Sequence, residues 1–212
     1  MSTDDDPRRA LCGAALAEVP FEGWSAAALR RAAGDLGLSA DDAERAFPGG
    51  ARDLMEYWAA LNDEHMNAAL AAVDLGALKL RRRIALAIKL RLTHMAPHRE
   101  AMRRALSFLA LPPNAALGAR LLYRTVDAIW YAVGDRSTDF SFYTKRALLA
   151  GVYAGTVLYW VDDRSPDSAE TWSFLERRLD DVMRIPKLTE RVRALARSLP
   201  DPRRLFGRPS LR

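Results

Sequence analysis

The stretch 19-VPFEGWSAAALRRAAGDLGLSADDAERAF-47 decides the fold. Just upstream, Leu11, Ala15 and Val19 recur at helical spacing between Arg8 and Val19, and Pro20 and Gly23 break that helix. Ser25, after Trp24, is a good N-cap for a second helix to Leu36; Gly37 supplies the break, and Ser39 caps a third short helix through Ala46. Three short helices with a glycine in the turn form the pattern of a helix-turn-helix. The third, SADDAERAF, bears on function, because Asp41, Asp42 and Glu44 are opposed only by Arg45. An element seated in the major groove draws its affinity from Lys and Arg set among phosphates. Acidic residues in a first turn suit the helix dipole instead, so this helix is well capped and badly equipped for DNA. No nucleic acid is expected as a partner.

Outward from this unit the chain continues to read as helix, and an all-α protein is expected. Ala51 to Val73 (Leu54, Trp58, Leu61, Met66, Leu70) links the head to a helical body over residues 48–185. Leu78 to Met95 carries Leu80, Ile84, Ala87, Ile88, Leu92 and Met95 on one face with Lys79, Arg81, Arg82, Arg83, Lys89 and Arg91 elsewhere, the pattern of an amphipathic surface helix. Helices from His98 to Leu109 and from Asn114 to Gly134 follow, separated by Pro112 and Pro113. An eighth begins near Asp139 and runs to Asp162, and a ninth ends near Ile185, capped by Asp167 or Ser168 with Glu170 placed for a capping box. The longest apolar run, Ala147 to Val161, falls short of the ~20 residues that span a bilayer. The opening MSTDDDPRR is acidic where a secretory signal would be basic, and Cys12, the single cysteine, permits no internal disulfide. A cytoplasmic location is therefore expected.

Charge separates the tail from the rest. Residues 186–212 hold eight basic groups against Glu190 and Asp201, a net of +6, so the remainder of the +5 chain stands at −1. Pro186 is expected to detach a helix in which Leu188, Val192, Leu195 and Leu199 form one stripe, flanked by Lys187, Arg191, Arg193 and Arg197. Such a helix can lie in an anionic membrane interface or dock back on the body or a dimer partner. Residues 1–7 are expected to be disordered. Catalytic constellations are hard to find: no Glu-x-x-His, nucleophile elbow, phosphate-binding glycine loop or Cys-x-x-Cys occurs. His94 and His98 have a metal-like spacing, but Pro97 between them breaks the helix that would align them. An enzyme is not expected, nor a metal or cofactor.

Two features of residues 127–178, DAIWYAVGDRSTDFSFYTKRALLAGVYAGTVLYWVDDRSPDSAETWSFLERR, call for a role. Ala147, Gly151 and Gly155 recur at intervals of four, leaving a strip almost without side chains on a helix apolar nearly all round. That strip serves either close helix packing or a groove for a slender ligand. Around the preceding junction stand five aromatics, Trp130, Tyr131, Phe140, Phe142 and Tyr143, which serve either the core or a protein interface.

The runs GDRSTDFSFYTKRALLAGVY and SPDSAETWSFLERRLDDVM, with weaker support from VPFEGWSAAALRRAAGDLGLS, closely resemble the accessory lipid-binding protein family of ubiquinone biosynthesis. The N-terminal run also resembles the helix-turn-helix of tetracycline-repressor-type regulators. The resemblance implies a tetracycline-repressor-like bundle of about ten helices that holds an isoprenoid quinone or phospholipid and presents a quinone precursor to the demethoxyubiquinone hydroxylase at the inner membrane. A homodimer and peripheral membrane attachment are expected with it. For the lipid it points to Leu148, Gly151, Val152, Gly155 and Leu158. For the hydroxylase it points to Trp130, Asp135, Asp139, Phe142, Tyr143 and Arg146, with Phe142 standing where the family has tryptophan. A transcriptional regulator with a lipophilic effector is the alternative.

Overall fold

A computed structural model describes residues 6–134 and 141–198, with side chains apart from those at 141–143, 183 and 185–198. The described residues form nine α-helices joined by short 3-10 turns. Helix α1 (Pro7–Glu22) starts on Asp6, whose carboxylate accepts from the Arg8 amide at 3.0 Å, with Pro7 at the first position. It runs through Pro20 and ends at Gly23, whose φ of 66° only glycine adopts freely. Ser25 caps α2 (Ala26–Asp35) through the Ala28 amide, and Ser39 and Asp42 make a reciprocal capping box on α3 (Ala40–Ala46). The hydrogen bonds from Ser39, then the Arg45 guanidinium, hold the Asp42 carboxyl down at about 2.

Alanines let these helices meet closely: Ala15, Ala28, Ala32 and Ala33 are fully buried. The head is fastened to the body by Trp24, whose indole N–H donates to the Ala101 carbonyl at 3.0 Å and whose ring lies 5.3 Å from that of Trp58. Cys12 is buried here too, and desolvation pushes its thiol up to about 12.

The body comprises α4 (Ala51–Ala71), α5 (Leu80–His94), α6 (Arg99–Ala110), α7 (Ala115–Ala132), α8 (Ser141–Asp162) and α9 (Ala169–Ser198). The proline pair between α6 and α7 turns the chain through 101°, so α6 lies across the bundle instead of along it. Gly118 faces Leu109 where the two helices meet, a Cβ built on it standing 3.4 Å from that of Leu109, an ordinary contact. Gly134 closes α7 at φ 89°, the left-handed stop its position implies.

Two expectations change at α9. Its cap is neither Asp167 nor Ser168, both of which take positive φ. Asp163 does that work: Oδ2 accepts from the Thr171 amide and hydroxyl at 2.9 and 2.5 Å, and Oδ1 from Ser165. Burial opposes the charge, but these bonds outweigh it and hold the carboxyl at about 2. The helix also continues through Pro186 to Ser198, so no break sets off a tenth helix at Lys187. A proline removes one hydrogen bond without forbidding the next turn.

Candidate functional site

Helices α4 to α8 do not close completely. Between them lies a cavity of about 240 Å³ whose walls are long, flexible or flat side chains: Met55 and Trp58 from α4, Met95 after α5, Met102, Leu106 and Leu109 from α6, Leu121 and Leu122 from α7, Val157 and Leu158 from α8. Small residues at Ala105, Gly118 and Ala154 leave the room. Leu158 is 58% exposed and marks the mouth. The thioethers supply an apolar, adaptable wall.

One corner is polar. Arg91 is 3% exposed, and its Nε donates to Asp63 Oδ1 at 2.8 Å. Nη1 donates to Tyr153 Oη at 2.6 Å and to the Met95 sulfur at 3.1 Å; Nη2 donates to Thr125 Oγ1 and the Ala59 carbonyl at 3.3 and 3.4 Å. Burial works to lower the Arg91 pKa, but Tyr153 and Asp63 overcome it and raise it. Burial first of all raises the Tyr153 pKa, so its hydroxyl keeps its proton. A buried guanidinium is tolerable only when paired and fully bonded, and this one is both.

The amphipathic reading of residues 78–95 left Arg91 off the apolar face, whereas the structure buries it. The sign was available: Arg91 stands seven residues after Ile84, two full turns along the same face. The reading of α8 also changes. Of Leu148, Gly151, Val152, Gly155 and Leu158, only Leu158 lines the cavity. Val152 is buried in the core, and Leu148 is half-buried. Gly151 is exposed with nothing within 4 Å of a Cβ built on it, and Gly155 faces Phe174 of α9 at 3.8 Å. The glycine strip thus borders the wall, which Tyr153, Ala154, Val157 and Leu158 form, without lining it. A helix apolar all round gives no periodic sign of which face meets a void.

The family profile of COQ9 matches residues 115–186, which include the α7 and α8 parts of this wall. Over 204 residues the chain is 34% identical to a protein of Rattus norvegicus named ubiquinone biosynthesis protein COQ9, mitochondrial, covering 93% of this chain and 65% of that relative. The Homo sapiens protein of the same name is 34% identical over 203 residues, covering 93% and 64%. Over 93% of its length the chain is similar to these COQ9 proteins. It spans just under two thirds of the length of these relatives. In fold it is similar to the TetR transcriptional regulator from Nitrosomonas europaea ATCC 19718, with a TM-score of 0.69 over 84% of this chain and 99% of that one. At 23% identity that likeness concerns the fold alone, which is the repressor-like helical architecture the sequence predicts.

The residues that the COQ9 resemblance assigns to a partner surface divide into three groups. Asp135 and Asp139 lie outside the described residues, and Phe142 and Tyr143 sit in the first turn of α8 with their side chains outside them. Trp130 is buried, with the Lys145 ammonium 5.9 Å from its ring centre. Arg146 is buried as well and holds Asp127 Oδ1 through Nε and Nη2 at 2.8 and 2.7 Å. Trp130 and Arg146 are therefore corrected from surface to support. Tyr131, by contrast, is 77% exposed. Of the expected membrane stripe, Lys187, Leu188, Arg191, Val192 and Leu195 fall on α9 with their side chains outside the described set, and Leu199 lies beyond it. His94, exposed at the end of α5, stacks on His65 of α4 with ring centres 3.9 Å apart.

Proposed function

We propose that this chain is a non-catalytic accessory protein of ubiquinone biosynthesis that holds an isoprenoid quinone precursor, or a phospholipid, in the cavity between α4 and α8. It presents the precursor to the demethoxyubiquinone hydroxylase at the inner membrane face. The observation that carries this reading is the wall itself: methionines, leucines and Trp58 around an open space, with a single neutralised polar corner. Binding sites for small apolar molecules have that composition. Among the described residues no single helix is long and apolar enough to cross a membrane. Membrane contact is assigned to the basic stripe after Lys187, and hydroxylase contact to the α7–α8 junction around Tyr131, Phe142 and Tyr143.

Native mass spectrometry of the purified chain tests the central claim. A co-purifying lipid, or retention of an added short-chain quinone that is lost on Ala154→Trp, is the expected result. A chain that carries nothing and retains nothing overturns it. Co-sedimentation with anionic vesicles, comparing the full chain with one ending at Ile185, tests the membrane stripe; equal binding at low salt removes it.

A further inference from the structure

We infer that the polar corner of the cavity selects a neutral oxygen head group, a quinone carbonyl or a phenol, and turns away an anionic phosphate head. The inference rests on the ligand-binding reading above and narrows it. Its first support is that Arg91, the only cation in the wall among the described residues, has nothing left to give. A guanidinium has five N–H donors, and those of Arg91 are all committed, to Asp63, Tyr153, Met95, Thr125 and Ala59. Its charge is balanced by Asp63 at 2.8 Å. An anion entering here meets no free donor of Arg91 and a carboxylate already in place, and loses its hydration without compensation.

The second support is what the corner leaves open. Tyr153 Oη accepts from Arg91, which directs its own O–H away from the guanidinium, and no acceptor for that proton stands among the described residues. Asn62 is 2% exposed; its Nδ2 donates to the Trp58 carbonyl at 2.7 Å, which fixes the amide so that Oδ1 is the free end. Asn62 Oδ1 accepts no hydrogen bond from the described residues, and it is not among the unpartnered polar atoms sealed inside protein. Both side chains line the cavity. The corner thus offers one hydroxyl donor and one amide acceptor at the end of an otherwise apolar space. A ring oxygen meets that pair well: a carbonyl accepts from Tyr153, and a phenol donates to Asn62. With about 240 Å³ against the roughly 300–1,000 Å³ of a full ligand pocket, the space takes a head ring and the start of a tail. The rest of the tail leaves past Leu158.

Equilibrium dialysis of the full chain against three probes with the same ten-carbon tail provides the test: geranyl-benzoquinone, geranyl monophosphate and the hydrocarbon myrcene. Wild type is expected to bind the quinone about tenfold more tightly than either other probe, as one or two well-placed hydrogen bonds allow. Tyr153→Phe and Asn62→Leu should each weaken quinone binding by about three- to tenfold and leave myrcene binding within about twofold. Because Tyr153 also receives a bond from Arg91, thermal melting accompanies each variant, and Asn62→Leu stands alone if Tyr153→Phe does not fold. Equal or tighter binding of the phosphate overturns the inference. So does a loss in the variants that is the same for quinone and hydrocarbon. Binding of all three probes alike removes this selectivity and leaves the lipid-binding reading intact, whereas binding of none removes both.

Discussion

Between α1 and α2 the helices meet across alanines and leave no room, while the larger methionine and leucine side chains of α4 to α8 surround a space. Size of side chain does not decide whether a core is full. Alanine lets two backbones approach until each fills the other's grooves. Long side chains hold backbones apart, and where α6 crosses the bundle at 101° to its neighbour, their ends do not meet. The α1–α2 contact is therefore closed, and the body holds a space lined by long apolar side chains.

The largest expected effect lies in the body. Arg91→Leu leaves Asp63 without its partner in the wall and should lower unfolding free energy by about 3–5 kcal/mol, measured by urea denaturation. Removing Asp63 as well (Arg91→Leu with Asp63→Leu) should recover part of that loss; a double variant no better than the single one breaks the account of the pair.

Next comes a direct contrast of head and body. Ala32→Leu drives four heavy atoms' worth of side chain into the closed α1–α2 contact in place of a methyl group, and should cost about 1–3 kcal/mol. The same change at Ala154 extends into the cavity and should stay within about 1 kcal/mol while abolishing quinone retention. Equal costs at the two sites erase the difference between closed head and open body.

Between these in size is Asp163→Asn, which weakens the α9 cap and should cost about 1 kcal/mol at neutral pH. The folded carboxyl sits at about 2, below the ~3.9 of an unfolded chain. Its contribution is therefore complete above about pH 4 and is lost as pH falls toward 2. The gap in melting temperature between wild type and variant should narrow across that window, and a gap that stays constant removes the assignment.

The smallest effect belongs to the exposed glycine. Gly151→Ala meets open space and should stabilise α8 by up to about 1 kcal/mol without altering ligand binding. Lost binding there would return the glycine strip to the cavity wall.

What the sequence made legible was local. Ser25, Ser39 and Gly134 act on residues within four positions of themselves, and each does what its place in the chain implies. The α9 cap escaped because Asp163 reaches Thr171, eight residues on, across a turn whose shape no local rule fixes. Arg91 escaped because its partners come from α4, α7 and α8, and a cation on an apolar face makes sense only once they are assembled. The cavity was legible as a type of wall, apolar and helical, but not as a face of α8, since every face of that helix is apolar.

Cys12 brings a practical consequence of the closed head. The thiol is 1% exposed and holds its proton up to about pH 12, so alkylating reagents, which attack the thiolate, pass it by in the folded chain. With no other cysteine in the sequence, a thiol introduced at Gly151 or Tyr131 becomes a lone chemical handle. A spin label or fluorophore attached there reports on approach to vesicles or a partner without Cys12 first being replaced.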